Sequence, residues 1–336
     1  MSDLPEPVSL PITRRRALEF AGRGGVAALA VLAGAAVGSG CSSEKAPVQQ
    51  LTLGTGSAGG AYNAFGKAFA AAVAKDSRSI RVQPVTTSAS VDNLHRLGDG
   101  HLSLAITTAD VAEDAIKGRN PFSKPIRVMA LARIYVNYTH LVARADGPVR
   151  NLRDLAGQRV GLGASESGAE VIAMRLLGLA DLTGAEAVTP RALTLLQSVQ
   201  ALKERSVRAV FWSGGVPTPA LADLSHHVPL RLLALDQYVE AMRVKYGPVY
   251  TTVTIPAEAY GLPRPVPTIG TGNYLTARPD VPKKTVFDLL RALFEYSEEV
   301  MRPVTAGARL EPRFAISTGS VPLHPGAAEY YRSVYG

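Results

Sequence analysis

The sequence predicts a mixed α/β fold of two lobes with a ligand cleft between them. Three observations carry this expectation. Strand-like apolar runs alternate with helix-like periodicity along most of the chain. One plan, a short strand followed by a small-residue loop and a helix start, occurs after Leu51 and again after Arg159. Late in the chain, Thr268 to Thr276 reads as a strand crossing back to the first unit, so two strands would join the lobes.

Near its start the chain carries Thr13-Arg14-Arg15-Arg16, an apolar run from Val26 to Val37, and Gly38-Ser39-Gly40-Cys41. A charged start, an apolar run too short to span a bilayer stably and a small-residue cleavage site form an export signal over 1–40. The adjacent arginines resemble a twin-arginine signal. Cys41 follows a lipobox-like site and is expected to carry a lipid anchor, with 41–50 as a polar tether. It is the only cysteine, so the fold is expected to stand on its core with no internal disulfide. The formal net charge is +8. The basic residues are scattered and form no nucleic-acid motif, which points to a solvated basic surface and away from nucleic acid.

The first lobe is expected over 51–143 plus 266–336. It starts with the strand Leu51-Thr-Leu-Gly-Thr and the loop Gly54, Gly56, Ser57, Ala58, Gly59, Gly60, which opens a helix from Ala61 to Ala74. Ile80 to Val85 is a strand. Thr86-Thr-Ser88-Ala89-Ser90 opens a helix whose apolar side is Val91, Leu94 and Leu97. Leu102 to Thr107 is a strand, with Thr108 or Asp110 capping the helix after it. Arg127–Tyr135 and Thr139–Ala143 read as two further strands.

The second lobe is expected over 144–265. Asn151 to Gly157 is a helical turn and Arg159 to Gly163 a strand. Ala164-Ser165-Glu166-Ser167-Gly168 starts a helix to Leu179. A helix over Leu193–Arg205 precedes the strand Ala209–Trp212. The turn Ser213-Gly214-Gly215-Val216-Pro217 leads to a helix near Ala220–Leu224, and Leu230–Leu235 is a strand. After the crossing strand, a helix over Val281–Arg302 and a short tyrosine-rich helix close the chain.

The chemistry-bearing residues favour capture over catalysis. Ser57, Ser88, Ser90, Thr107, Thr108, Ser167 and Ser213 fall at strand-to-helix turns, yet no Gly-x-Ser-x-Gly surrounds a serine. The histidines, at 95, 101, 140, 226, 227 and 324, show no metal-ligand spacing, and no cofactor motif is present. Hydroxyls and unpaired N–H groups at helix starts can hold a carboxylate without proton transfer. Each such serine or threonine could equally be a plain helix cap. Tyr62, Tyr135 and Trp212 are candidate walls, able to cover the aliphatic part of a guest and offer a hydroxyl or indole N–H. Asp110 is expected to favour its helix start through the dipole. Glu166 could do the same or accept from an ammonium.

These residues resemble those of TAXI-type solute receptors, which serve TRAP transporters. The resemblance rests on Gly54-Thr-Gly-Ser-Ala-Gly-Gly-Ala-Tyr62, Thr87-Ser-Ala-Ser-Val-Asp-Asn-Leu94, Thr108-Ala-Asp110, Ala143-Arg-Ala-Asp146, Asp154-Leu-Ala-Gly157, Ser165-Glu-Ser-Gly168, Gly214-Gly-Val-Pro-Thr-Pro219 and Pro322-Leu-His-Pro-Gly-Ala327. It implies a type II periplasmic-binding-protein fold without enzyme activity. It also implies a small organic acid as ligand (a dicarboxylate, an acidic amino acid or an oxo acid) and a TRAP permease as partner. The family's binding loops map to Gly56–Tyr62, Ser88–Ser90, Thr107–Asp110, Ser165–Gly168 and Trp212–Pro217. The chain departs from the family at Tyr135-Val136-Asn137, where Tyr-Pro-Glu is common. It departs again at Gly100-His101-Leu102-Ser103 and at Thr107-Thr108. Two alternatives stay open: a lipoprotein feeding a sensor kinase, and a serine hydrolase in the same cleft.

Overall fold

Parallel pairing of the first three strands sets the geometry of everything that follows. The computed structural model describes residues 48–184, 187–304 and 310–336. The expected signal, Cys41 and most of the expected tether lie outside them. β1 (Gln49–Gly54), α1 (Ala61–Asp76), β2 (Ile80–Val85), α2 (Ser90–Gly98), β3 (Leu104–Thr108) and α3 (Ala109–Lys117) follow in order. β1 starts two residues earlier than expected, taking Gln49 and Gln50 out of the tether. It runs parallel to both β2 and β3, so α1, α2 and α3 all begin at the same end of the sheet. α1 forms because Tyr62, Phe65, Phe69 and Val73 recur at three- and four-residue intervals and bury one face.

β4 (Met129–Arg144) is one strand where two were expected. The polar stretch that starts at Asn137 breaks the apolar pattern, but a strand ladder is made by backbone groups and runs through it. Beyond β4 come β5 (Arg159–Gly163), α4 (Gly168–Leu179), β6 (Thr189–Ala192), α5 (Leu195–Lys203), β7 (Ala209–Gly214), α6 (Pro219–Ser225) and β8 (Leu230–Leu232). Next are α7 (Val239–Tyr246), β9 (Tyr250–Ile255), β10 (Val266–Ala277), α8 (Lys283–Glu295), α9 (Ser297–Met301), α10 (Pro312–Ala315) and α11 (Pro325–Tyr335). The helix expected over Val281–Arg302 is thus two, divided at Tyr296. β6 was not foreseen because Thr-Pro-Arg-Ala is exposed throughout and has no apolar alternation.

The strand order is β2-β1-β3-β10-β4-β7-β5-β6, with β8 on β4 and β9 on β10. β4 and β10 are the organising pair. β4 pairs with β10 from Met129 to Tyr138 and with β7 from Tyr138 to Ala143. β10 pairs with β9 from Val266 to Thr271 and with β3 from Asn273 to Ala277. Both strands therefore change neighbours near their middles. The apolar core divides at the same place. Leu53, Phe65, Phe69, Leu131, Leu275 and Leu293 pack on one side; Leu141, Leu176, Phe211, Met242, Tyr250 and Ile269 pack on the other.

Candidate functional site

A cavity lies where the two long strands change partners. Six segments line it: Gly56, Ser57 and Gly60–Tyr62 at the start of α1; Ser88–Ser90 at the start of α2; Thr108; Asn137 from β4; Ala164 with Ser167–Ala169 at the start of α4; and Trp212 and Ser213 from β7. It is small, about 40 Å³ of room for water centres, or roughly three waters at the 10–15 Å³ that each needs. Among the described residues lining it, none is Asp, Glu, Lys, Arg, His or Cys.

The loops are held by buried polar side chains. Asn93, fully buried on α2, donates to Thr55 O (2.6 Å) and Ile106 O (2.7 Å) and accepts from Thr87 Oγ1 (2.6 Å). One amide thus ties the ends of β1 and β3 to the loop before α2. The Thr108 N–H donates to Ser90 Oγ at 3.2 Å. The Tyr62 hydroxyl donates to Asn273 Oδ1 at 2.6 Å and sits 3.3 Å from Ser90 Oγ. Burial pushes the Tyr62 phenol well above its ordinary value; the Ser90 hydrogen bond works against this and the Asp110 charge adds to it.

The helix starts do not all face the cavity freely. The carbonyl of Glu166 accepts from Val91 N–H (3.0 Å) and Asp92 N–H (3.1 Å). The tip of α2 is therefore closed by the loop before α4, against the expectation that it would be open. The loop reaches it because Glu166 itself takes a left-handed conformation, φ +61°. Gly168 completes the approach: a Cβ there would lie 2.9 Å from Ser90 Oγ and 3.1 Å from Thr108 Oγ1. The tips of α1 and α4 differ. The first intrahelical bonds of α1 run from Asn63 and Ala64 to Gly60 O, leaving the N–H groups of Ala61 and Tyr62 ahead of them. In α4, Ser167 Oγ accepts from Glu170 N–H and Ser167 O from Val171 N–H, leaving Gly168 and Ala169 in the same position.

Trp212 forms the opposite wall. Its indole N–H is spent on Thr218 Oγ1 (3.0 Å), which donates to Gly215 O (2.7 Å), so it serves as a wall without offering the expected donor. The Thr218 N–H donates to the Tyr260 hydroxyl oxygen (2.8 Å), which lies 2.9 Å from His140 Nε2. His140 Nδ1 is 2.9 Å from Tyr138 O. An acceptor at that distance fixes the proton on Nδ1 and leaves Nε2 to accept from Tyr260. Burial pushes the His140 imidazole down to about 4 despite its backbone partners, so it is neutral at pH 7.

Two of the lining residues each carry a buried polar atom with no partner among the described residues. Thr108 and Asn137 are both 3 % exposed, and Thr108 Oγ1 and Asn137 Oδ1 are unpaired. The other end of the Asn137 amide donates to Ser213 Oγ at 3.3 Å.

The remaining expected residues lie elsewhere. Ala58, Gly59 and Ser165 are exposed outside the cavity. Thr107 is fully buried in β3. Tyr135 packs behind Tyr62, ring centroids 6.5 Å apart, where burial raises its phenol. Gly59, Gly215 and Pro217 border a separate groove with Lys67 and Pro303. Gly214 leaves space for the indole, since a Cβ there would meet Trp212 Nε1 at 2.5 Å. Asp110 does more than face a helix dipole. It accepts from Arg175 (3.0 Å) and Tyr250 (2.8 Å) in a buried cluster that also pairs Arg175 with Asp114. Sequence reasoning missed Ala164 and Ala169 as lining residues, for an alanine there carries no chemical signal. It read Asn137 only as a lost acid.

A family model described as the NMT1-like family matches residues 53–334. Among solved structures, MatC from Rhodopseudomonas palustris with bound malate is 16% identical, with a TM-score of 0.53, over 76% of this chain and 88% of that one. The alkanesulfonate-binding protein SsuA from Xanthomonas axonopodis pv. citri, bound to MOPS, is 15% identical with a TM-score of 0.47, covering 85% and 84%. The fold is the type II plan of periplasmic binding proteins.

Proposed function

We propose, from the premise that this chain belongs to the NMT1-like family, that it is an extracytoplasmic solute receptor that captures a small organic acid and passes it to a membrane partner. One observation carries the reading. The starts of α1 and α4 both contribute to one small cavity at the division between two apolar cores. Each helix start presents about half a positive elementary charge and outward N–H groups, which suits a carboxylate.

The lobes of this receptor are 51–143 with 266–336, and 144–265. Capture is a hinge closure about β4 and β10. The closed form is held by Glu166 O on α2, by the fit of Gly168 against Ser90 and Thr108, and by Arg175 on α4 against Asp110 and Asp114 on α3. A guest shifts the balance toward closure only by its extra affinity for the closed form. Among the described residues lining the cavity there is no histidine, lysine or carboxylate to act as a base for its serines, and the one carboxylate at Ser88, that of Asp92, is held on its backbone N–H, so the reading is capture without turnover. Export by the 1–40 signal, anchoring at Cys41 and delivery to a TRAP permease complete the proposal; the first two rest on the N-terminal sequence pattern and the last on the family resemblance.

A thermal-shift screen with monocarboxylates, dicarboxylates, 2-oxo acids and amino acids tests it. A ligand at a hundredfold excess over its Kd adds about 2.7 kcal/mol to the native state. The shift should vanish in Gly168→Val, whose side chain would hold the helix starts apart, while the unliganded fold persists. No shift with any acid, or an equal shift in Gly168→Val, refutes the reading.

A further inference from the structure

Basic residues that lie scattered along the chain are gathered by the fold at one end of lobe II. β4, β7 and β5 are neighbours in the sheet. Ala209 of β7 pairs with Ala143 of β4 and with Val160 of β5. One residue further out, the same registers set Arg144, Arg208 and Arg159 side by side, and the Arg208 N–H donates to Arg159 O (2.8 Å). Like charges at directly neighbouring strand positions cost stability, so the sheet itself gains nothing from this row. Arg205, in the turn before β7, adds to it. Arg205 and Arg144 both donate to Asp146, at 2.6 and 2.9 Å, and hold its carboxyl well below the usual range. Arg159 and Arg208 are exposed and have no ion-pair partner among the described residues. The other carboxylates closest in the chain are already engaged. Asp154 accepts from the Arg150 and Asn151 N–H groups (2.6 and 3.0 Å), and Glu204 accepts from Gln200. The strand ends of lobe I differ: Ser103 and Arg278 stand beside β3 and β10, and the arginine is clasped by Asp280 (2.9 and 2.8 Å).

We propose that the row Arg144, Arg208 and Arg159, with Arg205 beside it, is a docking face for an anionic lipid surface. This rests on the receptor reading for location alone: a chain exported and anchored at Cys41 is held beside a bilayer. A single lipid chain attaches a protein only reversibly, and a polybasic patch is the second signal that makes the attachment stable. The two contacts fall at opposite ends of the long strand. Leu104 of β3 pairs with Leu53 of β1 and with Ala277 of β10, which pairs with Met129 of β4. β1, where the chain enters the fold, therefore starts at the Met129 end of β4, and the arginine row lies at the Arg144 end, about 50 Å away along a 16-residue strand. Attachment at both ends lays β4 along the membrane.

The test is co-sedimentation of the full chain with two kinds of vesicle, phosphatidylcholine alone and phosphatidylcholine mixed with phosphatidylglycerol. Each arginine near an anionic surface strengthens binding about fivefold. Arg159→Gln combined with Arg208→Gln should therefore weaken binding to the mixed vesicles about 25-fold and leave binding to phosphatidylcholine unchanged. Arg78→Gln combined with Arg332→Gln removes the same net charge from exposed positions of lobe I and should weaken it by less than about threefold, since a patch and not the whole-molecule charge is at work. The row variant should melt no lower than the parent, because neighbouring like charges are relieved. Raising the salt to about 0.5 M should remove the preference for the mixed vesicles. Equal binding to both kinds of vesicle, or equal losses in the two double variants, overturns the docking face. Tighter binding to polyglutamate than to the mixed vesicles assigns the row to an acidic protein and overturns the lipid surface. The thermal-shift response to small acids is read separately in each variant, so failure here leaves the receptor reading standing.

Discussion

Arg175→Met should destabilise the protein by about 3–5 kcal/mol, the range for removing one partner from a buried ion pair. Arg175 is 8 % exposed, and the carboxylates it holds, Asp110 and Asp114, are each 2 % exposed. It also donates to the Tyr250 hydroxyl and lies 4.5 Å from the centre of the Tyr246 ring. Methionine would keep much of the stem's packing but leave Asp110 without its cation and Asp114 with only the exposed Arg119. Burial already pushes the Asp114 carboxyl above its ordinary value, the neighbouring Asp110 adds to this, and Arg175 and Arg119 pull it down. Without Arg175 the upward shift grows. A carboxyl raised above its unfolded value costs stability at pH above that value and recovers it as pH falls. The loss in Arg175→Met, measured against the parent by urea unfolding, should therefore be largest near pH 7.5 and shrink toward pH 4.5. Adding Asp110→Asn and Asp114→Asn should restore a large part of it. A loss below about 1 kcal/mol, or one independent of pH, would refute the claim that this cluster is a desolvated clamp between α3 and α4.

Two further perturbations probe the frame of the cavity. His140 is held at about 4 in the fold against an ordinary 6.5, so stability should be full above pH 6.5 and decline as pH falls toward 4, by about 3 kcal/mol at 1.36 kcal/mol per pH unit. His140→Gln should remove that slope, and an NMR titration placing the His140 ring near 6.5 would contradict it. Ala89 starts α2 at φ +94°, ψ −136°, a region suited to glycine. Ala89→Gly should raise stability by about 1 kcal/mol, read as a higher melting temperature; an unchanged or lower value would show that the turn carries no strain.

Much of the first unit was legible because its signals are local. The intervals of Tyr62, Phe65, Phe69 and Val73 mark α1, and the small residues from Gly54 to Gly60 mark the turn that feeds it. Asn137 was read only as a lost acid: it stands in the polar Asn137–His140 stretch of β4, and its side-chain partner, Ser213, lies far along the chain. Asn93 escaped notice because its three partners, Thr55, Thr87 and Ile106, come together only when β1, β3 and α2 are assembled.

The sequence by itself determined the alternation of elements, the turns that open each helix and the residue types available to meet an acid, because propensity and periodicity act over a few neighbours. Only the tertiary structure decided which helix starts stay open. Glu166 O occupies the tip of α2, Trp212 gives its N–H to Thr218, and Asp110 turns to Arg175. Hydrogen-bonding capacity is finite and is claimed by whatever the fold brings within about 3 Å. What remains for a guest is set by packing across the cleft.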